Sequence, residues 1–236
     1  MGNKKFASEL FEGMKGMNRV FQSAATVQSI LEDNLIEKAA EAGLRSVFIG
    51  FETFSPENLK ASNKCQNLQR DYSSAVKRLH ELGIMINGSF VFGLDDDDTD
   101  VFRRTVDWGI ENAITTATYH ILTPYPGTRQ FQRLEAENRI LTRDWSKYDT
   151  RTVVYKTRRL TPEQIKNGYD WAYKEFYSWK NILRACGNDQ SLKQRISHLM
   201  YTGGWKKMEP FWGFLVRTGA LNKTLPILET LLSNTK

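Results

Sequence analysis

Only two cysteines, Cys65 and Cys186, occur in 236 residues, and they stand 121 positions apart. That number excludes a disulfide scaffold, makes a structural zinc site unexpected, and rules out a Cys-x-x-x-Cys-x-x-Cys cluster site. Histidine is equally scarce. Two of the three, His80 and His198, fall on expected helices and are read as having no chemical role. Long apolar runs are also missing: the cluster at 211–216, Phe-Trp-Gly-Phe-Leu-Val, is far too short to span a bilayer. The opening Met1-Gly2-Asn3-Lys4-Lys5 lacks a leader's apolar core, and Phe6 stands where a myristoylation signal has Ser or Thr. A cytoplasmic protein with no membrane span is therefore expected. There is no phosphate-binding glycine loop, no nucleophile elbow and no metalloprotease motif.

What is present is a globular composition. Hydrophobic residues make up 40% and aromatics 12%, with six Trp, which allows one large domain or two small ones and argues against disorder. The net charge of +6 is uneven: residues 1–150 carry 18 Lys and Arg against 21 Asp and Glu, whereas residues 151–236 carry 15 against 6. A basic tail can touch nucleic acid, acidic lipid or a partner subunit. Here the basic residues are scattered among aromatics without a run, so a solvated helical surface is the reading and nucleic acid is not expected as a partner.

The first half alternates strand and helix signals. Apolar, β-branched runs occur at 43–51 and 83–93, a third at 115–122, and a weaker one at Arg19-Val20-Phe21-Gln22. Such near-continuous runs predict a sheet covered on both faces. Between them, Leu31, Leu35, Ala39 and Ala42 predict one amphipathic helix. Tyr72, Ala75, Val76, Leu79 and Leu82 predict a second, and Val101, Phe102, Thr105 and Val106 a third. Crossover helices of this length make the strands parallel, and Gly43 and Gly83 are expected helix stops. After Pro124-Tyr125-Pro126-Gly127-Thr128 the texture changes. Phe131 and Leu134 predict a short helix, and 141–154 reads as irregular. Thr161-Pro162-Glu163-Gln164 then opens a helix through a capping box. One apolar stripe is expected through Ile165, Tyr169, Ala172, Phe176 and Ile182, with further helices at 190–201, 205–218 and 222–233. Four β/α units do not close a barrel. An open parallel sheet leaves two unpaired edges, so either the tail covers an edge or part of the sheet lies outside this sequence.

Ligands of parallel α/β folds meet the carboxyl ends of the strands. Those ends carry Glu52, then Gly93-Leu94-Asp95-Asp96-Asp97-Asp98, then Tyr119 and His120. Glu52 follows Ile-Gly-Phe directly and reads as a ligand contact, or else as the cap of a helix after Ser55-Pro56. The four aspartates read as helix-terminal charges facing water rather than a metal site, with Asp95 as a candidate ligand contact. Gly88-Ser89 and Gly93 permit close backbone approach, or a tight turn. His120 lies within an apolar strand, as a core histidine or a ligand. No residue is assigned to a metal.

Three segments together resemble the later strands of radical S-adenosylmethionine (SAM) proteins of the cobalamin-binding class. They are Phe48-Ile49-Gly50-Phe51-Glu52, then Asn87-Gly88-Ser89-Phe90-Val91-Phe92-Gly93 with its aspartates, then His120-Ile121-Leu122-Thr123-Pro124-Tyr125-Pro126-Gly127-Thr128. The tail, with Asp144-Trp145, Tyr148-Asp149, Gly168-Tyr169 and Phe176-Tyr177, resembles the domain of unknown function that follows the barrel there. The resemblance implies an incomplete radical SAM (β/α) barrel of about four parallel strands over 1–127, and a helical C-terminal domain over 128–236. It implies cofactor contacts from Glu52, Gly88, Ser89, Gly93, Asp95, Tyr119 and His120. Glu52 would lie near the SAM ribose or amino-acid end, Gly88, Ser89 and Gly93 beside the adenosyl group, and Tyr119 and His120 toward adenine or substrate.

The intact family uses SAM, a [4Fe–4S] cluster and in many members cobalamin, for radical methylation or rearrangement. The first two strands, the three cluster cysteines and a cobalamin domain are not found in this sequence, so the chain alone is expected not to make the radical. A separately encoded N-terminal half or another subunit is the implied partner. Two alternatives stand beside this reading: a non-catalytic interaction protein derived from such a barrel, and an unrelated α/β enzyme using Glu52, Asp95 and His120 as acid and base.

Overall fold

The computed structural model describes residues 3–32, 34–53, 72–189 and 191–207. Four strands, β1 (Phe21–Ala24), β2 (Leu44–Glu52), β3 (Met85–Phe92) and β4 (Thr116–Ile121), lie in chain order and pair in parallel throughout. Nine helices are described: α1 (Lys4–Met14), α2 (Val27–Leu31), α3 (Leu35–Glu41), α4 (Tyr72–Glu81), α5 (Val101–Glu111), α6 (Arg129–Ala136), α7 (Pro162–Phe176), α8 (Trp179–Gly187) and α9 (Leu192–Lys207). Among the described residues, no helix is long and apolar enough to cross a membrane.

Each expected strand forms, and the α/β class with parallel pairing is borne out. Gly43 and Gly83 hold φ of 110° and 68°, left-handed values that end α3 and α4 without a Cβ penalty. The stripe read as one helix through Leu31 is two: α2 ends at an extended Glu32, and Leu31 points out while Leu35 and Ala39 are buried. Ile182 belongs to a separate helix, α8, rather than to the stripe of α7. The irregular stretch after α6 contains a 3₁₀ turn at Trp145–Lys147 and an antiparallel bridge between Ile140 and Tyr155. One expected helix start at 190 becomes α9, which runs on through 205. The remainder of 205–218 and all of 222–233 lie outside the described residues.

The sheet is two-faced. Val47, Ile49 and Phe51 of β2, Ile86, Phe90 and Phe92 of β3, and Ala117, Tyr119 and Ile121 of β4 are buried against the helices. Their rings stack across strands: Phe51 on Phe90 at 5.5 Å, Phe90 on Tyr119 at 5.7 Å, Phe92 on Tyr119 at 5.3 Å. Burial at about 25 cal/mol per Å² makes this ladder a principal source of stability. The opposite face carries Phe48, Gly50, Met85, Asn87, Val91, Thr118 and His120, all only half-buried. Successive side chains alternate, and among the described residues this second face is the less covered one, with Ser46, Ser89 and Thr116 buried between its half-exposed members.

The helices beyond residue 127 share this core. Leu160, Ile165, Tyr169, Ala172, Phe176 and Ala185 join the same buried cluster as the strands. Helices α5 and α7 interlock through glycines: a methyl group at Gly168 would overlap the Phe102 ring, and one at Gly109 would lie 3.1 Å from Phe176. The free edge of β4 is capped by tyrosines. Tyr177 Oη donates to Ala117 O (2.8 Å) and accepts from Ala117 N (3.0 Å), and Tyr173 Oη does the same with Tyr119 O (3.2 Å) and N (3.1 Å). Ile121 N donates to Thr150 O at 2.7 Å. Of the two outcomes left open for the sheet edges, the tail thus covers β4. The outer edge of β1 has no strand beside it among the described residues.

Candidate functional site

Strand register places the half-buried face in rows. Ala24, Phe48, Asn87 and Thr116 form one row, and Gly50, Ser89 and Thr118 the next. Val91 and His120 follow at the carboxyl end, where a register shift skips Phe51 and pairs Glu52 with Phe90. The second row is made of small residues, which leaves a shallow floor. Glu52 has φ of 65°, a left-handed value that a carboxylate side chain seldom adopts. Its Oε1 curls back over the floor, 3.0 Å from where a Cβ on Gly50 would stand. Thr150, beside the end of β4, has φ of 62°. Two non-glycine residues in this strained region at one strand end mark a locality the fold holds against its own preference.

His120 joins this group. Its Nδ1 lies 3.3 Å from Thr150 Oγ1. Burial lowers its pKa, the Glu52 carboxylate acts in the opposite sense, and Arg151 adds to the lowering, so the imidazole is held neutral. Asn87 Oδ1 is buried and finds no hydrogen-bond partner among the described residues. An orphaned acceptor of this kind costs about 1–3 kcal/mol unless something donates to it.

Glu52, Ser89 and His120 are thus brought to one face. Three other expected contact residues lie elsewhere. Tyr119 is one position from His120 and therefore points to the opposite face, where it is 1% exposed between Phe90, Phe92, Tyr173 and Phe176. Gly88 likewise faces the helices: a Cβ there would meet the Phe90 ring at 3.0 Å and Ile114 at 3.2 Å, so the chain's own side chains occupy that space. Asp95 is engaged in an ion cluster: Arg139 grips both its oxygens, with Arg158 at 3.6 Å and Arg133 at 3.7 Å. Gly93 ends β3 at φ of 82°, its carbonyl accepting from Tyr155 Oη.

The aspartates do not simply face water. Asp97 is 2% exposed and accepts from the N–H groups of Gly93 (2.9 Å) and Leu94 (3.0 Å). Asp98 pairs with Arg104 at 2.8 Å and Asp96 with Arg159 at 3.9 Å. Arginines 133, 139, 158 and 159, all distant in sequence, relieve the repulsion that the run suggests. Asn87, Thr118, Gly50 and Thr150 were missed as site residues. The signal was the period-two spacing Asn87, Ser89, Val91, which shares a face with His120 by register.

Cys186, at the end of α8, is buried, and burial followed by the nearby Asp189 carboxylate pushes its thiol up to about 11. The segment holding Cys65, and that holding Ser55-Pro56, lie outside the described residues.

Comparison with known proteins gives relatives over most of the chain. A bacteriochlorophyllide d C-12(1)-methyltransferase of Chlorobaculum tepidum is 32% identical over 76% of this chain and 39% of its own length. A bacteriochlorophyllide d C-8(2)-methyltransferase of the same organism is 27% identical over 84% of this chain and 45% of its own length. Among solved structures, the cobalamin-dependent SAM radical enzyme OxsB superposes on 88% of this chain and 36% of its own, with a TM-score of 0.51 and 15% identity, a likeness of fold. The chain spans about two fifths of the length of the curated relatives it matches. No family model matches it.

Proposed function

Because the chain belongs to the radical SAM proteins of the cobalamin-binding class, we propose that it forms the SAM- and substrate-facing wall of an enzyme that methylates carbon on a large apolar ring system. One observation carries this reading: the sheet's unpacked face gathers small and polar residues at the carboxyl ends of parallel strands, where such sheets receive ligands. The reaction and substrate class follow the names of the relatives, two bacteriochlorophyllide methyltransferases and a hopanoid C-2 methylase.

The implied groups fit this chain unequally. A [4Fe–4S] cluster does not fit its thiols. Cys186 is buried beside Asp189 and His198 within the tail helices, and Cys65 is 121 positions away. Three cluster thiolates would come from polypeptide outside these 236 residues, either a separately encoded half or another subunit. SAM fits the open face. Asn87 Oδ1 offers an acceptor lacking a donor, Glu52 offers a carboxylate over the Gly50 floor, and the Gly50–Ser89–Thr118 row leaves room for a flat nucleoside. Bound there, SAM supplies the transferable methyl group. Cobalamin is bound in the structure of OxsB, and no residue of this chain is assigned to it.

The chain's own contribution is positioning and proton handling. Glu52 and Asn87 accept hydrogen bonds from ribose hydroxyls or the amino group. Neutral His120, oriented by Thr150, keeps a ring nitrogen able to take a proton. The test is calorimetry with S-adenosylhomocysteine, followed by anaerobic reconstitution with iron and sulfide. The expected results are saturable binding that Asn87→Leu weakens about tenfold, roughly the loss of one hydrogen bond, and no [4Fe–4S] signal from the chain alone. Unaltered binding in Asn87→Leu, or a cluster assembled on this chain, would overturn the reading.

A further inference from the structure

We propose that His80, Cys186, Asp189 and His198 form a divalent-cation site of the zinc class that pins helices α8 and α9 to α4. Cys186 Sγ, an Asp189 oxygen and a His198 ring nitrogen lie within 4.8 Å of one another, and all three residues are buried. They come from the end of α8, the turn after it, and α9. His80, on α4, supplies a fourth donor: its Nδ1 faces Asp189 Oδ1 at 3.9 Å.

The hydrogen-bond network fixes what these atoms can be. His80 Nε2 lies 3.1 Å from Asn112 O, which can only accept, so Nε2 carries the proton. In the neutral ring Nδ1 is then a bare lone pair pointed at a carboxylate oxygen, beyond hydrogen-bond reach and 91% buried as a residue. Two acceptors facing each other in a dry interior repel unless a proton or a metal cation lies between them. The Asp189 carboxylate sharpens the requirement. Its side chain is 4% exposed, and its described partners are the imidazoles of His198 (Nδ1 at 2.8 Å) and His80, with no Lys or Arg on either oxygen. Arg195 reaches only the Asp189 backbone carbonyl. A buried carboxylate with that environment is costly without a positive charge beside it.

The donor set is one thiol, one carboxylate and two imidazoles, the mixed S, O and N sphere that suits tetrahedral zinc. Zinc bonds of about 2.0–2.3 Å set donors roughly 3.3–3.8 Å apart, so closing Cys186, Asp189 and His198, which stand within 4.8 Å of one another, needs a contraction of about 1–1.5 Å, and His80, outside that group, would swing in further. Loading releases the thiol proton to solvent as the thiolate binds. The surrounding contacts already tie the tail helices to α4, to α5 and to the start of β4. Gln194 Nε2 donates to His80 O, Asn188 Nδ2 to Ile110 O at 3.0 Å, and Thr202 Oγ1 to Thr115 O at 2.6 Å. The ion would therefore act as a staple between the helical tail and the sheet unit. This inference is independent of the proposed reaction and leaves Cys186 unavailable to an iron–sulfur cluster.

The test uses the full 236-residue chain, untagged and purified without chelator. Elemental analysis should find about one zinc per chain. After chelator stripping, Co²⁺ should bind to saturation with the intense visible bands of a tetrahedral site and a thiolate-to-cobalt charge-transfer band. Cys186→Ser should lose the charge-transfer band, Cys65→Ser should retain it, and His198→Asn or His80→Gln should lower zinc content about tenfold. Circular dichroism verifies that each variant is folded. Zinc below about 0.1 per chain together with no saturable cobalt uptake by the folded wild type, or a charge-transfer band surviving in Cys186→Ser, would overturn the site. In that case Asp189 and His198 are a hydrogen-bonded pair only.

Discussion

Replacing Tyr177 by Phe removes one oxygen atom and, on this structure, disconnects an edge of the sheet. Tyr177 Oη both donates to and accepts from the backbone of Ala117, at 2.8 and 3.0 Å. Tyr177 is 8% exposed, so water cannot readily replace the hydroxyl, whereas the ring contacts with Phe176 and Tyr173 survive in the variant. Two buried backbone groups left unsatisfied at about 1–3 kcal/mol each give an expected loss of roughly 2–6 kcal/mol. Tyr173→Phe is the internal control. Its bonds to Tyr119 are longer, 3.1 and 3.2 Å, and partly solvated, so the same deletion should cost only about 1 kcal/mol. Urea denaturation followed by circular dichroism, at unchanged m-value, reads both. A Tyr177→Phe loss below about 0.5 kcal/mol, or a larger loss in Tyr173→Phe, would refute the claim that tyrosine hydroxyls close this edge.

Further predictions test the packing and the strand ends. Gly168→Ala should destabilise by about 1–3 kcal/mol, because its methyl group enters the Phe102 ring, and Phe102→Leu in the same chain should recover part of that in thermal melts. Asp97→Ala should cost about 2 kcal/mol in the same urea assay by orphaning the Gly93 and Leu94 amides, whereas Asp98→Ala, in an exposed pair with Arg104, should cost under about 1 kcal/mol. Burial holds His120 below its ordinary value of 6.5, so the unfolded chain binds the extra proton and stability falls as pH drops through that value. Wild type should therefore lose more stability than His120→Gln between pH 7.5 and pH 5.5; equal losses would remove the burial argument.

The strands were legible because their buried face is nearly invariant in character. Val47, Ile49 and Phe51, or Ile86, Phe90 and Phe92, leave little choice but a buried strand. The same continuity hid the second face. Phe48, Met85 and Val91 are apolar but half-exposed, so a run that looks covered on both sides is covered on one. Glu52 and His120 were readable as strand-end residues, and the alternation that separates His120 from Tyr119 needed only the strand's phase. Asp95 could not be read correctly from its neighbours, since Arg133, Arg139 and Arg158 reach it from 38 to 63 positions away. The approach of His80 to Asp189, which stands beside Cys186 and His198, is hidden for the same reason: helices carry no mark of the partner they pack against. The break between α2 and α3 has no evident sequence cause in Leu31 or Leu35, which keep helical spacing.

On the reading proposed above, SAM meets the less packed face of the sheet. Amide chemical shifts of ¹⁵N-labelled chain, titrated with S-adenosylhomocysteine, test it residue by residue. The largest shifts should fall on Gly50, Glu52, Asn87, Ser89, Thr118 and His120, with little change along α5 and α7. Shifts centred on the helical layer, or none at saturating ligand, would contradict it.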